Sequence, residues 1–156
     1  MKLKKLLSVV LSVVMAVSLV ACSENPSSDT TNGNSQLDQN AETGLWADAI
    51  YTEDTEVGEG ANTVAVKIVT EEKSITITLK TDETNFGQAL RKSGFVTGSE
   101  SEYGLFISHV NGIKAVYEED NAYWAFLDGE GNYMYYGVDD MELTGKVSFQ
   151  LAYTPA

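Results

Sequence analysis

Three shortages stand out in this sequence, and each removes a class of function. Cysteine occurs once, at Cys22. No intramolecular disulfide can form, so an oxidising compartment is tolerated without being exploited. Histidine also occurs once, at His109, and no carboxylate is spaced to pair with it as a catalytic base would require. Positive charge is scarce, with 10 Lys and Arg against 23 Asp and Glu and a formal net charge of −13. A chain this acidic is repelled by phosphate backbones and anionic lipid heads, which argues against nucleic acid as a partner. No glycine-rich phosphate loop follows a strand pattern either. The chain therefore reads as a non-enzyme without a cofactor or metal centre of its own.

A long apolar run is lacking too. The run from Leu6 to Val20 is interrupted by Ser8, Ser12 and Ser18, and it falls short of the roughly 20 apolar residues that cross a bilayer. Preceded by Lys2, Lys4 and Lys5, it has the form of a secretory signal peptide. Leu19-Val20-Ala21-Cys22 resembles a lipobox, in which the small residue fits the peptidase and the thiol accepts diacylglycerol. Residues 1–21 are thus expected to be a lipoprotein signal peptide, with Cys22 the lipidated residue. Its removal takes away three lysines and no acid, so the formal charge moves from −13 to −16. Membrane contact then rests on the lipid, and the expected location is the extracytoplasmic side of the cell membrane.

Residues 22–44 carry one large apolar side chain, Leu37, among small and polar residues. Such a segment buries too little surface to offset its ordering entropy, and a lipidated, disordered tether is expected there. Residues 45–156 leave room for one small domain. Val64, Val66 and Ile68 alternate with other residues, as do Ile75, Ile77 and Leu79, which predicts two strands joined by a polar turn at Thr70-Glu71-Glu72-Lys73. Phe86, Ala89 and Leu90 then fall at helical spacing, with Thr84 or Asp82 as cap and Gly94 as stop. Gly87 weakens that helix by about 1 kcal/mol, so packing must hold it. Beyond a polar loop expected at Thr97–Glu102, strands are expected at Leu105–Val110 and Tyr123–Leu127. Val147, Phe149, Leu151 and Tyr153 line one face of a last strand. The pattern is α+β, a mostly antiparallel sheet with one short helix packed on it.

Asn121-Ala122-Tyr123-Trp124-Ala125-Phe126-Leu127-Asp128-Gly129-Glu130, followed by Tyr136-Gly137-Val138-Asp139-Asp140, is similar to the C-terminal domain of transcobalamin and intrinsic factor. That family shows a Tyr/Phe-Trp pair, a turn, a Gly-Val/Ile-x-Asp motif and a terminal strand. Val110-Asn111-Gly112-Ile113 resembles its Gly-Ile step, and Phe86-Gly87-Gln88-Ala89-Leu90 sits where its short helix begins. Leu45 to Asp54 resembles the opening of a bacterial lipoprotein branch of the family. The resemblance spans residues 45–154 and implies a β-grasp-like fold. It also implies a ligand of corrinoid type, cobalamin or a similar flat small molecule captured for uptake, with a transporter or second binding protein completing the site. Two departures stand out. Thr144-Gly145 replaces Asp-Gly or Asn-Gly before the last strand, and Gly131 to Tyr136 is more aromatic than the bacterial branch.

The aromatic cluster is the main functional signal. Trp124 is expected in the core, packed on the helix. Tyr133, Tyr135 and Tyr136, near a turn at Asp128–Gly131, are expected as ligand contacts together with Tyr123 and Phe106. His109 could ligate cobalt in a corrinoid binder, but the resemblance implies that the cobalt-ligating histidine belongs to the family's other domain. Asp128-x-Glu130-x-Asn132 superficially resembles a calcium loop, yet Tyr133 stands where the sharp-turn glycine belongs. Glu118-Glu119-Asp120 and Asp139-Asp140 read as solvated turns. The expected function is a non-catalytic, surface-displayed ligand-binding module. The alternative is an interaction module that binds an envelope protein or glycan through the same rim or a sheet edge.

Overall fold

The computed structural model describes residues 42–156. The expected signal peptide, the expected lipobox with Cys22 and most of the tether expected at residues 22–44 lie outside the described residues; of its last three residues, Glu42 pairs with Lys73 and Gly44 opens a 3-10 turn. Among those described, eight strands form two sheets. The larger runs in the order β1 (Thr55–Gly58), β3 (Ser74–Thr81), β2 (Asn62–Val69), β8 (Lys146–Pro155), β7 (Ala122–Asp128). The smaller joins β4 (Val96–Ser101), β5 (Gly104–Val110) and β6 (Ile113–Lys114). Helix α1 (Phe86–Ser93) and a one-turn helix α2 (Tyr117–Asp120) complete an α+β fold made mostly of strands. None of the described helices is long and apolar enough to cross a membrane.

Most strand pairs are antiparallel as expected, and the expected single sheet is corrected. There are two sheets, and the larger is mixed, with β1–β3 and β2–β8 parallel and β2–β3 and β7–β8 antiparallel. Helix α1, the smaller sheet and β7 lie between β3 and β8, giving the chain the length it needs to return parallel to β2. Alternation of apolar residues says which face a side chain takes, and nothing about strand direction.

Paired residues share a face, and the registers place Val64, Leu79 and Val147 side by side, then Val66, Ile77 and Phe149, then Ile68, Ile75 and Leu151. Trp124 and Phe126 extend that face, opposite Tyr153 and Leu151. Onto it α1 lays Phe86, Ala89 and Leu90, all buried. The Phe86 ring centroid lies 4.5 Å from that of Phe149 and 5.7 Å from that of Phe126. Each such side chain contributes about 1.5–3 kcal/mol through its removal from water.

The helix ends as its glycine requires, with Gly94 left-handed at φ 78°. Its start differs from expectation, because Asn85 is the cap and accepts the Gln88 N–H at 3.1 Å. Asp82 instead accepts the Ala61 N–H, and the Thr84 carbonyl accepts the Leu143 N–H at 2.7 Å. The polar loop expected at Thr97–Glu102 is in fact mostly strand β4. Five of its six residues are exposed, so no apolar alternation marks it. Gly98 allows β5 to approach, since a Cβ there would overlap the Phe106 carbonyl.

Two further contacts fasten the start of the described chain. Trp46 is buried, and its Nε1–H donates to Thr70 Oγ1 at 2.9 Å. Asn111, wholly buried, accepts the Tyr51 N–H and donates to the Tyr51 carbonyl, both at 2.8 Å. A buried amide with both ends satisfied adds rigidity without a desolvation cost left over.

A tyrosine-rimmed cleft as candidate functional site

The aromatic segment after β7 folds back tightly on itself. Asp128 Oδ1 accepts the N–H groups of Glu130 and Asn132, each at 2.9 Å, and Oδ2 accepts Asn132 Nδ2 at 3.0 Å. The Asn132 side chain, then its backbone, holds the Asp128 carboxyl below the usual carboxylate range. The calcium-like spacing is therefore used internally, as the hub of a turn. Met134 N–H then donates to the Phe126 carbonyl at 3.0 Å, and Tyr133 bridges Leu127.

This return divides the five expected ligand residues. Tyr133 comes to rest beside Tyr123, and interaction with Tyr133 raises the Tyr123 phenol above its ordinary pKa. Tyr123 points to the sheet face opposite Trp124, away from the core. Phe106 is exposed on the smaller sheet and lines no part of the cleft described next. Tyr135 and Tyr136, by contrast, meet a residue that the sequence reading missed, Tyr103 at the β4–β5 turn. Tyr103, Tyr135 and Tyr136 are 84%, 95% and 66% exposed and line an open cleft of about 510 Å³. That volume lies within the range of small-molecule sites.

One carboxylate joins the two walls of the cleft. Asp139, in a 3-10 turn at Val138–Asp140, accepts the Leu105 N–H through Oδ2 at 2.7 Å. Arg91 of α1 grips the same carboxylate through Nη1, and through Nη2 at 2.9 Å. Arg91 also holds Glu100 of β4 through Nε at 2.7 Å and Nη2 at 2.8 Å. Asn85, the cap of α1, donates to the Asp139 carbonyl at 2.6 Å. A Cβ on Gly87 or Gly104 would overlap the Asp139 carboxylate, and Gly104 has φ 94° besides. The glycine that costs α1 propensity is thus the one that lets Asp139 dock.

The electrostatics follow from this arrangement. Arg91, and secondarily the Leu105 N–H, hold the Asp139 carboxyl below its ordinary pKa against the opposing effect of burial. Bonds to Glu100 and Asp139 raise the Arg91 guanidinium further above its already high value. The expectation of a solvated turn holds for the exposed Asp140 and is corrected for Asp139, the central polar tie of the region. Its partner lies 48 residues away in sequence, beyond the reach of any local pattern. Glu118-Glu119-Asp120 forms α2 and is exposed apart from the partly buried Asp120 side chain.

Glu102 and Asp140 also line the cleft, and no Lys, Arg or His does so. No group of three or more His, Cys, Asp or Glu among the described residues is arranged to hold a metal ion. His109 Nδ1 stands 2.9 Å from Ser108 Oγ on β5, outside the cleft. Trp124 is buried at 7% exposure, its ring edge-on to Tyr153 at 5.7 Å, and its Nε1–H has no partner among the described residues.

No family model and no curated protein matches the chain. Solved structures do. A proposed metal-binding protein from Ruminococcus gnavus ATCC 29149 is similar at 22% identity and a TM-score of 0.56, over 62% of this chain and 99% of that one. Haptocorrin in complex with Cbi is similar at 16% identity and a TM-score of 0.49, over 60% of this chain and 25% of haptocorrin. At this identity the first likeness establishes a shared fold and nothing about the ligand.

Proposed function

We propose that the chain is a lipid-anchored, extracytoplasmic, non-catalytic binding module whose cleft takes a small flat ligand, a corrinoid in the first instance. The observation that carries this reading is the exposure of Tyr103, Tyr135 and Tyr136 around one open cleft. Large aromatic side chains left in water on a rigid frame are a ready platform for stacking. The anchor rests on Leu19-Val20-Ala21-Cys22, and the corrinoid on the resemblance of Tyr123-Trp124 to Gly137-Val138-Asp139 to the transcobalamin C-terminal domain. The β2–β3 hairpin, the crossing helix α1 and the parallel return of β8 beside β2 support a β-grasp-like reading of the larger sheet. An open cleft covers one side of a ligand, so a transporter or second binding protein is the expected partner for the other.

The test is titration of the full-length chain in detergent with cobalamin, followed by tryptophan quenching or calorimetry. A single wall should bind weakly, with a Kd on the order of micromolar or poorer. A Tyr135→Ala, Tyr136→Ala double variant should lose that binding. Undiminished binding in the double variant would overturn the site. Retention on cell-wall material with no response to corrinoid would favour an envelope interaction module instead.

A further inference from the structure

Building on the cleft reading above, we infer that the cleft holds an organic cation, an ammonium group seated among Tyr103, Tyr135 and Tyr136 with Glu102 and Asp140 as counter-charges. The argument begins with what the lining offers. It presents three tyrosine rings and three carboxylates, and no basic side chain. The nearest guanidinium, Arg91, is already occupied by Glu100 and Asp139 through four hydrogen bonds. A ligand that presented a carboxylate or phosphate would face uncompensated negative charge, set in the field of a chain with a formal charge of −13.

The carboxylates are not equivalent. Asp139 is spent on Arg91 and the Leu105 N–H. Asp140 gives one oxygen to the Gly137 N–H at 3.2 Å, which leaves the other oxygen open. Glu102 makes no ion pair among the described residues and sits beside Tyr103 at the β4–β5 turn. Two acidic groups with free acceptor capacity therefore border a cleft rimmed by electron-rich rings. Aromatic faces attract cations through the ring quadrupole, and adjacent negative charge reinforces the effect. A neutral flat molecule would use the rings and could meet the carboxylates only through uncharged donors, without charge pairing. The ammonium group could be carried by a small molecule or by a lysine side chain, and the cleft volume favours the small molecule.

The test compares two molecules of nearly equal shape, choline and its uncharged isostere 3,3-dimethylbutanol, each titrated into the full-length chain in detergent at low salt. Saturation-transfer NMR reads the binding. Choline should bind about tenfold more tightly than the isostere, and this preference should fade as salt is raised. Glu102→Gln, a change at an exposed turn, should weaken choline several-fold and leave the isostere unaffected, with circular dichroism as the folding control. Choline should also outbind an N-acetyl-lysine amide; the reverse order would overturn the small-molecule source. Equal binding of choline and isostere would overturn the inference, and cobalamin binding alongside that result would leave the stacking cleft standing. Choline preference without cobalamin binding would uphold the cation and remove the corrinoid. Failure of all these molecules at about 0.1 M would remove both.

Discussion

The larger sheet and the cleft are fastened in opposite ways. On the core face of the sheet, Val64, Val66, Ile68, Ile77 and Leu151 are wholly buried among apolar neighbours, and many contacts share the task. At the cleft, the turn that carries Asp139 meets α1 and the β4–β5 hairpin largely through polar contacts, with the Asp139 carboxylate shared by Arg91 and the Leu105 N–H and its carbonyl held by Asn85. Apolar packing is distributed, so its loss scales with volume removed. A polar tie is concentrated, so one atom changed can release two walls at once. The sheet is thus held by buried volume, and the cleft by a few polar bonds.

The largest effect should come from the sheet. Trp124→Ala is expected to lower stability by about 3–5 kcal/mol in denaturant unfolding, because the indole is buried and packs edge-on to Tyr153. A loss below about 1 kcal/mol would show that the core closes over the gap and would weaken the contrast.

The middle effect belongs to Asp139. Asp139→Asn keeps the shape and removes the charge that Arg91 grips, at an expected cost of about 1–2 kcal/mol, since both side chains are partly exposed. The pH dependence has a definite sign. The folded pKa of Asp139 is depressed, so its contribution is fully present above the ordinary carboxylate value of about 4 and is lost as pH falls through the lower, folded value. Wild type and the Asn variant should therefore differ at pH 7 and converge in acid. A gap in stability that persists unchanged from pH 7 to pH 2 would show that charge is not what holds the turn.

The same contrast explains what could be read from the sequence. Strands β2, β3 and β8 were legible because one face of each is buried, and burial leaves a period of two. The C-terminal stop of α1 was legible because Gly94 alone suits a left-handed residue. Strand β4 was not, because Thr97 to Ser101 is exposed along its whole length. Strand β1 carries only Val57 as a large apolar residue and was missed for a similar reason. At the site, composition points to Tyr135 and Tyr136, while Tyr123 and Tyr133, expected with them as ligand contacts, do not line the cleft. The Asp128-centred turn sends Tyr133 back along β7, and only the folded chain reveals that reversal. Tyr103 has no local pattern to mark it, and Asp139 reads locally as a solvated turn, because each acquires its role from residues far away in sequence.

The smallest expected effect concerns the rim itself. Tyr135→Ala and Tyr136→Ala should each change stability by no more than about 0.5 kcal/mol, since both rings already stand in water and little apolar surface is lost from burial. Tyr133→Ala is the sharper control, because Tyr133 bridges Leu127 and lies against Tyr123, so it should cost more than either neighbour. Denaturant unfolding of the three variants ranks them directly. If Tyr135→Ala destabilises as much as Tyr133→Ala, the ring is packed in solution and the cleft is closed by it. If the order is Tyr133 first and the other two indistinguishable from wild type, the tyrosines of the cleft contribute nothing to folding. Their exposure is then a cost in solubility that the fold does not need, which is the situation expected of side chains kept for a ligand.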